Sequence, residues 1–248
     1  TLVLDLSAKQ PGTHRTRVSY QTTGITWWTD YNLTYSDGSN ANSCKLDVGA
    51  WVSIINQSGA SYPEAKLKLI AGDVQRARPP GRSDAPRSAA KLAAREEKDN
   101  GFAEKAFFEY HLYTLGRPTT LPDNSTKQIE LFPAARSVPC EKTLVYYGFA
   151  PGYYGHSASP VTDRNYGVQS NRKVDVYLDF RNAADHKMGV PLPAGRIRVS
   201  KLDSTDKTLE FIGEDTIDHT PKNEKVLIRL GSAFDVVGER RQADFRVD

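Results

Sequence analysis

The sequence predicts an all-β protein made of two immunoglobulin-like β-sandwich domains. Apolar and polar residues alternate with a period of two along most of the chain, the pattern of half-buried strands. Twelve Tyr, nine Phe and three Trp stand against a single Met, and aromatic side chains suit a pleated surface. No apolar stripe at helical spacing runs beyond two turns, so the strand–helix alternation of an α/β protein is missing. The 248 residues are enough for two such domains.

The elements follow in order. "RVSYQTT" (17–23), "TWWTDYNLTY" (26–35) and "KLDVGAWVSII" (45–55) read as strands. In the second, Trp28, Asp30, Asn32 and Thr34 share a face, and a bulge near Thr29–Asp30 is expected to keep the remaining aromatics in register. "SDGSNANS" (36–43) is a turn by composition. "AKLKLIAGDV" (65–74) is a further strand. Residues 75–101 then lose the alternation, and Pro79, Pro80, Gly81 and Pro86 forbid a regular element early in them. This stretch reads as a long, mobile basic insertion in the first domain. Strands resume at "KAFFEYHLYTL", "STKQIELF" and "EKTLVYYGF". Residues 151–170 form an aromatic connecting loop, so the first sandwich spans 1–150 and the second 171–248. The second series comprises "KVDVYLDFRN", "GRIRVSKLD", "TLEFIGEDTI", "EKVLIRLG" and "ADFRVD", with hairpin-type connections at "STDK" and "PKNE".

Charge narrows the function classes. The net charge is +3, and residues 76–100 carry seven basic and four acidic side chains, which accounts for all of it. The basic pI of 8.7 therefore comes from one loop-like segment and not from a folded basic face, which argues against nucleic acid as a partner. No apolar run approaches the ~18 residues of a membrane-spanning helix. No Gly-rich phosphate loop and no G-x-S-x-G elbow is present, so no nucleotide, other cofactor or serine nucleophile is expected. The segment "GHSAS" sets His156 beside Ser157, but no helix pattern follows it.

Cys44 and Cys140 are the only cysteines, too few for a structural zinc site. They form one disulfide if the protein is exported, or two buried thiols otherwise. The chain opens on the strand-like "TLVLDL", as a mature or trimmed protein would, and closes as abruptly on "ADFRVD".

Several side chains are candidates for chemistry. Read as one strand, "AFFEYHLYTL" turns Glu109, His111 and Tyr113 to one face and Phe108, Tyr110 and Leu112 to the other. A His beside a carboxylate suits general acid–base work, yet a polar solvent face opposite an aromatic core face explains the same pattern. Asp185 with His186, and Glu214, Asp215, Asp218 and His219, are acid–His groupings, with Asp218 and His219 in a turn before Pro221. No metal site is assigned to them. Tyr146, Tyr147, Tyr153, Tyr154, His156 and Tyr166 crowd about twenty residues and form the main candidate binding surface, because aromatic side chains are favoured at interfaces.

Taken together, the runs "GITWWTDYNL", "WVSIINQSGASYPEAKLKLIAGDV", "FFEYHLYTLGRPTTLPDNSTKQIEL", "VPLPAGRIRVSKLD" and "LEFIGEDTIDHTPKNEKVLIRLGSAFDVVGERRQADF" resemble the uncharacterised bacterial β-rich domain of mucoidy-inhibitor-A-like proteins. The resemblance covers most of the chain except the insertion, and its last run is the most specific. It implies a bacterial, periplasmic or otherwise exported protein that continues past Asp248, with the second sandwich truncated here. That family supplies no catalytic residues. Cys44 and Cys140 match no motif of it, which favours their being a pair. The expectation is an exported binding or structural module for protein or cell-envelope partners. The alternative is a hydrolase of envelope glycan or peptide using Glu109 and His111 or the acid–His turns.

Overall fold

A computed structural model describes residue 5 and residues 7–72, 101–148, 171–240 and 244. The expected insertion lies almost wholly outside these residues, and so does the connecting loop.

The protein is all-β. Its strands are β1 (Ile25–Asp37), β2 (Ser43–Asn56), β3 (Tyr62–Ala65), β4 (Lys68–Ala71), β5 (Phe102–Phe107) and β6 (Tyr110–Leu115). They continue as β7 (Thr119–Leu121), β8 (Ser125–Val145), β9 (Lys173–Arg181), β10 (Gly195–Leu202), β11 (Leu209–Ile217) and β12 (Lys225–Val237). A seven-stranded mixed sheet runs in the order β11-β10-β1-β2-β8-β9-β12. Two small sheets, β4-β6-β5 and β3-β7, come from the excursion between the paired neighbours β2 and β8.

β1 and β2 form the centre of the large sheet. Trp27, Thr29, Tyr31, Leu33 and Tyr35 take one phase of β1, and the residues from Tyr31 to Tyr35 in that phase are buried. Their register with β2 runs unbroken from Ile25 opposite Asn56 to Asp37 opposite Cys44. The bulge expected at Thr29–Asp30 is therefore absent, because Thr29 is itself buried in the inward phase. The alternate residues of β2 from Cys44 to Asn56 face the same core. In the turn between the strands, the Asn40 carboxamide oxygen accepts the N–H groups of Asn42 and Ser43.

The large sheet joins the two halves of the chain. β10 pairs in parallel with β1, setting Thr29 opposite Gly195, and β9 pairs with β8 from Cys140–Phe180 to Val145–Asp175. One continuous core includes Leu33 of β1, Val52 of β2, Phe180 of β9, Val199 of β10 and Ile228 of β12, together with Tyr113 and Leu115 of the small sheet. Two sandwiches divided at 151–170, each with its own sheets, do not describe this arrangement. The parallel β1–β10 pairing is a long-range contact that alternation along the chain does not encode.

The sheet also curls until its two end strands adjoin. A Cβ on Gly213 of β11 would lie 2.7 Å from the Leu230 carbonyl oxygen of β12, so only glycine permits this approach. The Arg229 N–H of β12 donates to the Asp215 carboxylate at 2.7 Å, satisfying a main-chain donor along this edge.

Other elements differ from the sequence reading. Residues 17–23 form no strand and are exposed. "STKQIELF" and "EKTLVYYGF" do not start separate strands, since β8 takes in the first and continues into the second as far as Val145, with register shifts against β2 absorbing its irregularity. "KAFFEYHLYTL" breaks into a hairpin: Phe107 pairs with Tyr110, leaving Phe108 and Glu109 as a two-residue turn with Phe108 at φ 62°. Among the described residues no helix is long and apolar enough to cross a membrane.

Candidate functional site

The hairpin turn redistributes the residues of the first candidate site. Glu109 occupies the turn and does not neighbour His111 along a strand. The carboxylate that meets His111 is Glu104, seven residues earlier on β5, with His111 Nδ1 donating to its Oε1 at 2.7 Å. The expected faces are also exchanged. His111, Tyr113 and Leu115 share the phase turned towards the large sheet, and Tyr113 is only 2% exposed. The Tyr113 hydroxyl donates to the Pro191 carbonyl at 2.7 Å. Burial pushes the Tyr113 hydroxyl far above the ordinary phenol range, and the nearby Glu104 charge adds to the shift. Tyr113 is therefore a neutral donor that ties β6 to the segment before β10.

The other acid–His groupings serve the fold. Asp185 and His186 lie in a 3-10 turn, Ala184–His186, with 3.9 Å between His186 Nε2 and Asp185 Oδ2. His219 Nδ1 accepts the Ala194 N–H at 3.0 Å, next to a backbone bridge between Leu192 and Thr220. This bond makes His219 a pin between two connections. The Thr220 hydroxyl donates to the Asp218 carbonyl, completing the turn. Glu214 meets Arg198 at 3.5 Å, and Asp215 holds the sheet edge. No three His, Cys, Asp or Glu side chains converge on a metal-sized site among the described residues.

Of the aromatic surface, Tyr146 and Tyr147 are described. The Tyr146 ring lies against Gly238, and the Tyr147 hydroxyl shares a 2.8 Å hydrogen bond with that of Tyr177. Tyr153, Tyr154, His156 and Tyr166 lie outside the described residues. Cys44 and Cys140 sit directly opposite each other on β2 and β8 and are joined by a disulfide.

The structure adds a cleft that no motif announced. A cavity of about 630 Å³ opens beside β8, between that strand, β5 and the segment after the 3-10 turn. Trp51, Phe102, Tyr113 and Phe132 supply aromatic walls, while Glu104 and Glu130 oppose Arg117 and Lys187 in charge. The cleft exists because the β8–β9 ladder ends at Cys140–Phe180. Past Arg181 the chain leaves the sheet, held by Asn182, whose carboxamide donates to the Val190 and Pro221 carbonyls and accepts the Gly189 N–H.

Trp51 continues the cleft onto the outer face of the large sheet. By register, Arg196, Asp30, Trp51 and Glu130 form one row across four strands, with Ser53 and Gln128 in the adjoining row. Asp30 is 9% exposed and accepts from the Trp28 indole at 2.7 Å and the Ser53 hydroxyl at 3.2 Å, with Arg196 at 3.4 Å. A near-buried carboxylate with three donors is a satisfied polar network that fixes the Trp28 ring. A tryptophan in the outward phase of β2, in "AWVSII", together with the shared face of Trp28 and Asp30 on β1, was the sequence signal for this face.

This arrangement defines the chain as an all-β protein with a large mixed sheet and a cleft at one strand edge. No family model matches the chain, and no curated protein or solved structure shows a significant match to it.

Proposed function

We propose that the chain is an exported binding or structural module that contacts a protein or cell-envelope partner through the cleft beside β8. The observation that carries this reading is the cleft itself, whose aromatic walls and balanced charges suit recognition. The Cys44–Cys140 disulfide supports export, because such bonds persist in oxidising compartments. The family resemblance supports a bacterial envelope setting. The test is titration of the purified protein with soluble peptidoglycan fragments and with peptides tiled from envelope proteins, followed by indole fluorescence. A saturable change weakened by Trp51→Ala is expected. No response from either ligand class would remove the reading.

One observation favours a second reading, a hydrolase of envelope glycan or peptide. Glu104, held by His111, and Glu130 both line the same cleft, and two carboxylates about a cleft are the minimum for acid–base hydrolysis. Release of soluble fragments from labelled peptidoglycan or peptide, abolished by Glu104→Gln, is its signature. Turnover that survives this substitution would dismiss it.

A further inference from the structure

We propose that the occupant of the cleft is an extended peptide strand that hydrogen-bonds to the open edge of β8, so that the partner is captured by strand addition. This deepens the binding reading above and rests on it.

The first observation is where the cleft sits relative to the strand. Gln128 and Glu130 pair with Ser53 and Trp51 on the outer face of the sheet, whereas Ile129 pairs with Val52 on the core face. All three line the same cleft. Successive side chains of a strand leave opposite faces, so a single cavity touches both sets only if it lies at the strand's edge, in the plane of the sheet.

The second observation is that this edge has no strand beside it among the described residues. β2 holds the other side of β8 from Ser125 onwards, but β9 pairs only with Cys140–Val145. In an antiparallel ladder every second residue directs its N–H and C=O away from its partner. From Gln128 to Glu130, before the register shift that leaves Leu131 without a partner on β2, those groups point towards the cleft. Pro133, which has no N–H, ends the usable edge. Five residues of strand span about 17 Å, the length of a short peptide segment.

The chemistry of the walls selects the same ligand. Acidic and basic side chains balance around the cleft, so neither a polyanion nor a polycation is favoured. Main-chain hydrogen bonds would supply affinity, and Trp51 and Phe102 would receive alternate apolar side chains of the added strand. A glycan has no row of alternating N–H and C=O groups to match the edge.

The test begins with amide hydrogen exchange on the free protein. Rapid exchange is expected at the cleft-facing amides within 128–132, and full protection there would overturn the proposal by showing the edge already covered. Eight-residue peptides are then selected from a display library and titrated into labelled protein. The expected result is saturable binding that protects those same amides. N-methylation of the peptide at alternate backbone positions should weaken binding roughly tenfold or more, the loss of one or two hydrogen bonds, while methylation at intervening positions has little effect. Equal sensitivity in both registers, or no library binder at this edge, overturns strand addition. If soluble peptidoglycan fragments shift the cleft resonances instead, strand addition fails and the binding reading stands. If neither probe perturbs the cleft, both fail.

Discussion

Glu104 and His111 meet at 2.7 Å across the β5–β6 hairpin, diagonal to a register that sets Glu104 opposite Tyr113 and Ala106 opposite His111. The pair is local to the hairpin and partly solvated, with side chains 21% and 37% exposed. His111→Ala should lower folding stability by less than about 1 kcal/mol, since exposed ion pairs contribute little. Glu109→Ala, in the turn, should be closer to silent. Urea denaturation of both variants checks this, and a loss of several kcal/mol for His111→Ala would contradict the solvated geometry.

The Cys44–Cys140 bridge closes a span of 96 residues. Constraining so long a loop in the unfolded chain is worth about 2–5 kcal/mol. Reduction, or the double substitution Cys44→Ala with Cys140→Ala, should lower the denaturation midpoint accordingly. Thiol titration of the unfolded, unreduced protein should find no free cysteine; two would refute the bridge.

Asn182 is fully buried, and both atoms of its carboxamide are engaged, one of its partners being Val190 of the cleft wall. Asn182→Ala leaves two carbonyls and one N–H without that partner, at about 1–3 kcal/mol for each buried group left unsatisfied. These contacts are only partly buried and water can replace some of them, so the net loss expected is about 2–4 kcal/mol. Faster amide exchange at Gly189 and Val190 would show that the segment has come loose, and unchanged exchange would refute the anchoring role.

Gly195 faces Thr29 across the parallel β1–β10 pair, and a Cβ there would run into the Thr29 carbonyl oxygen. Gly195→Ala must push two backbones apart, at about 1–3 kcal/mol. Calorimetry should register a lower Tm, and a neutral substitution would mean that the strands do not approach this closely.

Acid should weaken the fold through Asp175. The Arg229 guanidinium, donating to it at 2.8 and 3.0 Å, holds its carboxyl below the usual carboxylate range. A carboxyl with a lowered folded-state pKa stabilises fully above its unfolded value, about 4, and that stabilisation disappears as pH falls through the folded value. Asp175→Asn should therefore be less stable at pH 7 and lose less on acidification. Urea midpoints at pH 7 and pH 3 test this, and parallel declines would exclude Asp175 as a contributor.

The strand content was readable because burial of one face imposes a period of two on the sequence. Tyr31, Leu33 and Tyr35, and the run from Cys44 to Ile54, show it directly. The hairpin at Phe108–Glu109 was not readable, since Phe at positive φ is a rare turn residue and the apolar pattern runs through it unbroken. The partner of His111 was hidden for the same reason: Glu104 reaches it only after the chain reverses. The cleft was hidden because it is defined by where a ladder stops.

By itself, the sequence determined that the chain folds mainly into strands, which phase of β1 and of β2 faces the core, and that its excess positive charge lies in one segment. Those properties depend on near neighbours along the chain. Only the tertiary structure decided that β1 pairs with β10, that the sheet crosses from one half of the chain to the other, and that Trp51, Glu104 and Lys187 surround one cavity. Such choices depend on contacts between residues far apart along the chain. They are set by which packing of all the strands buries the most apolar surface with its hydrogen bonds satisfied, and no local pattern specifies that.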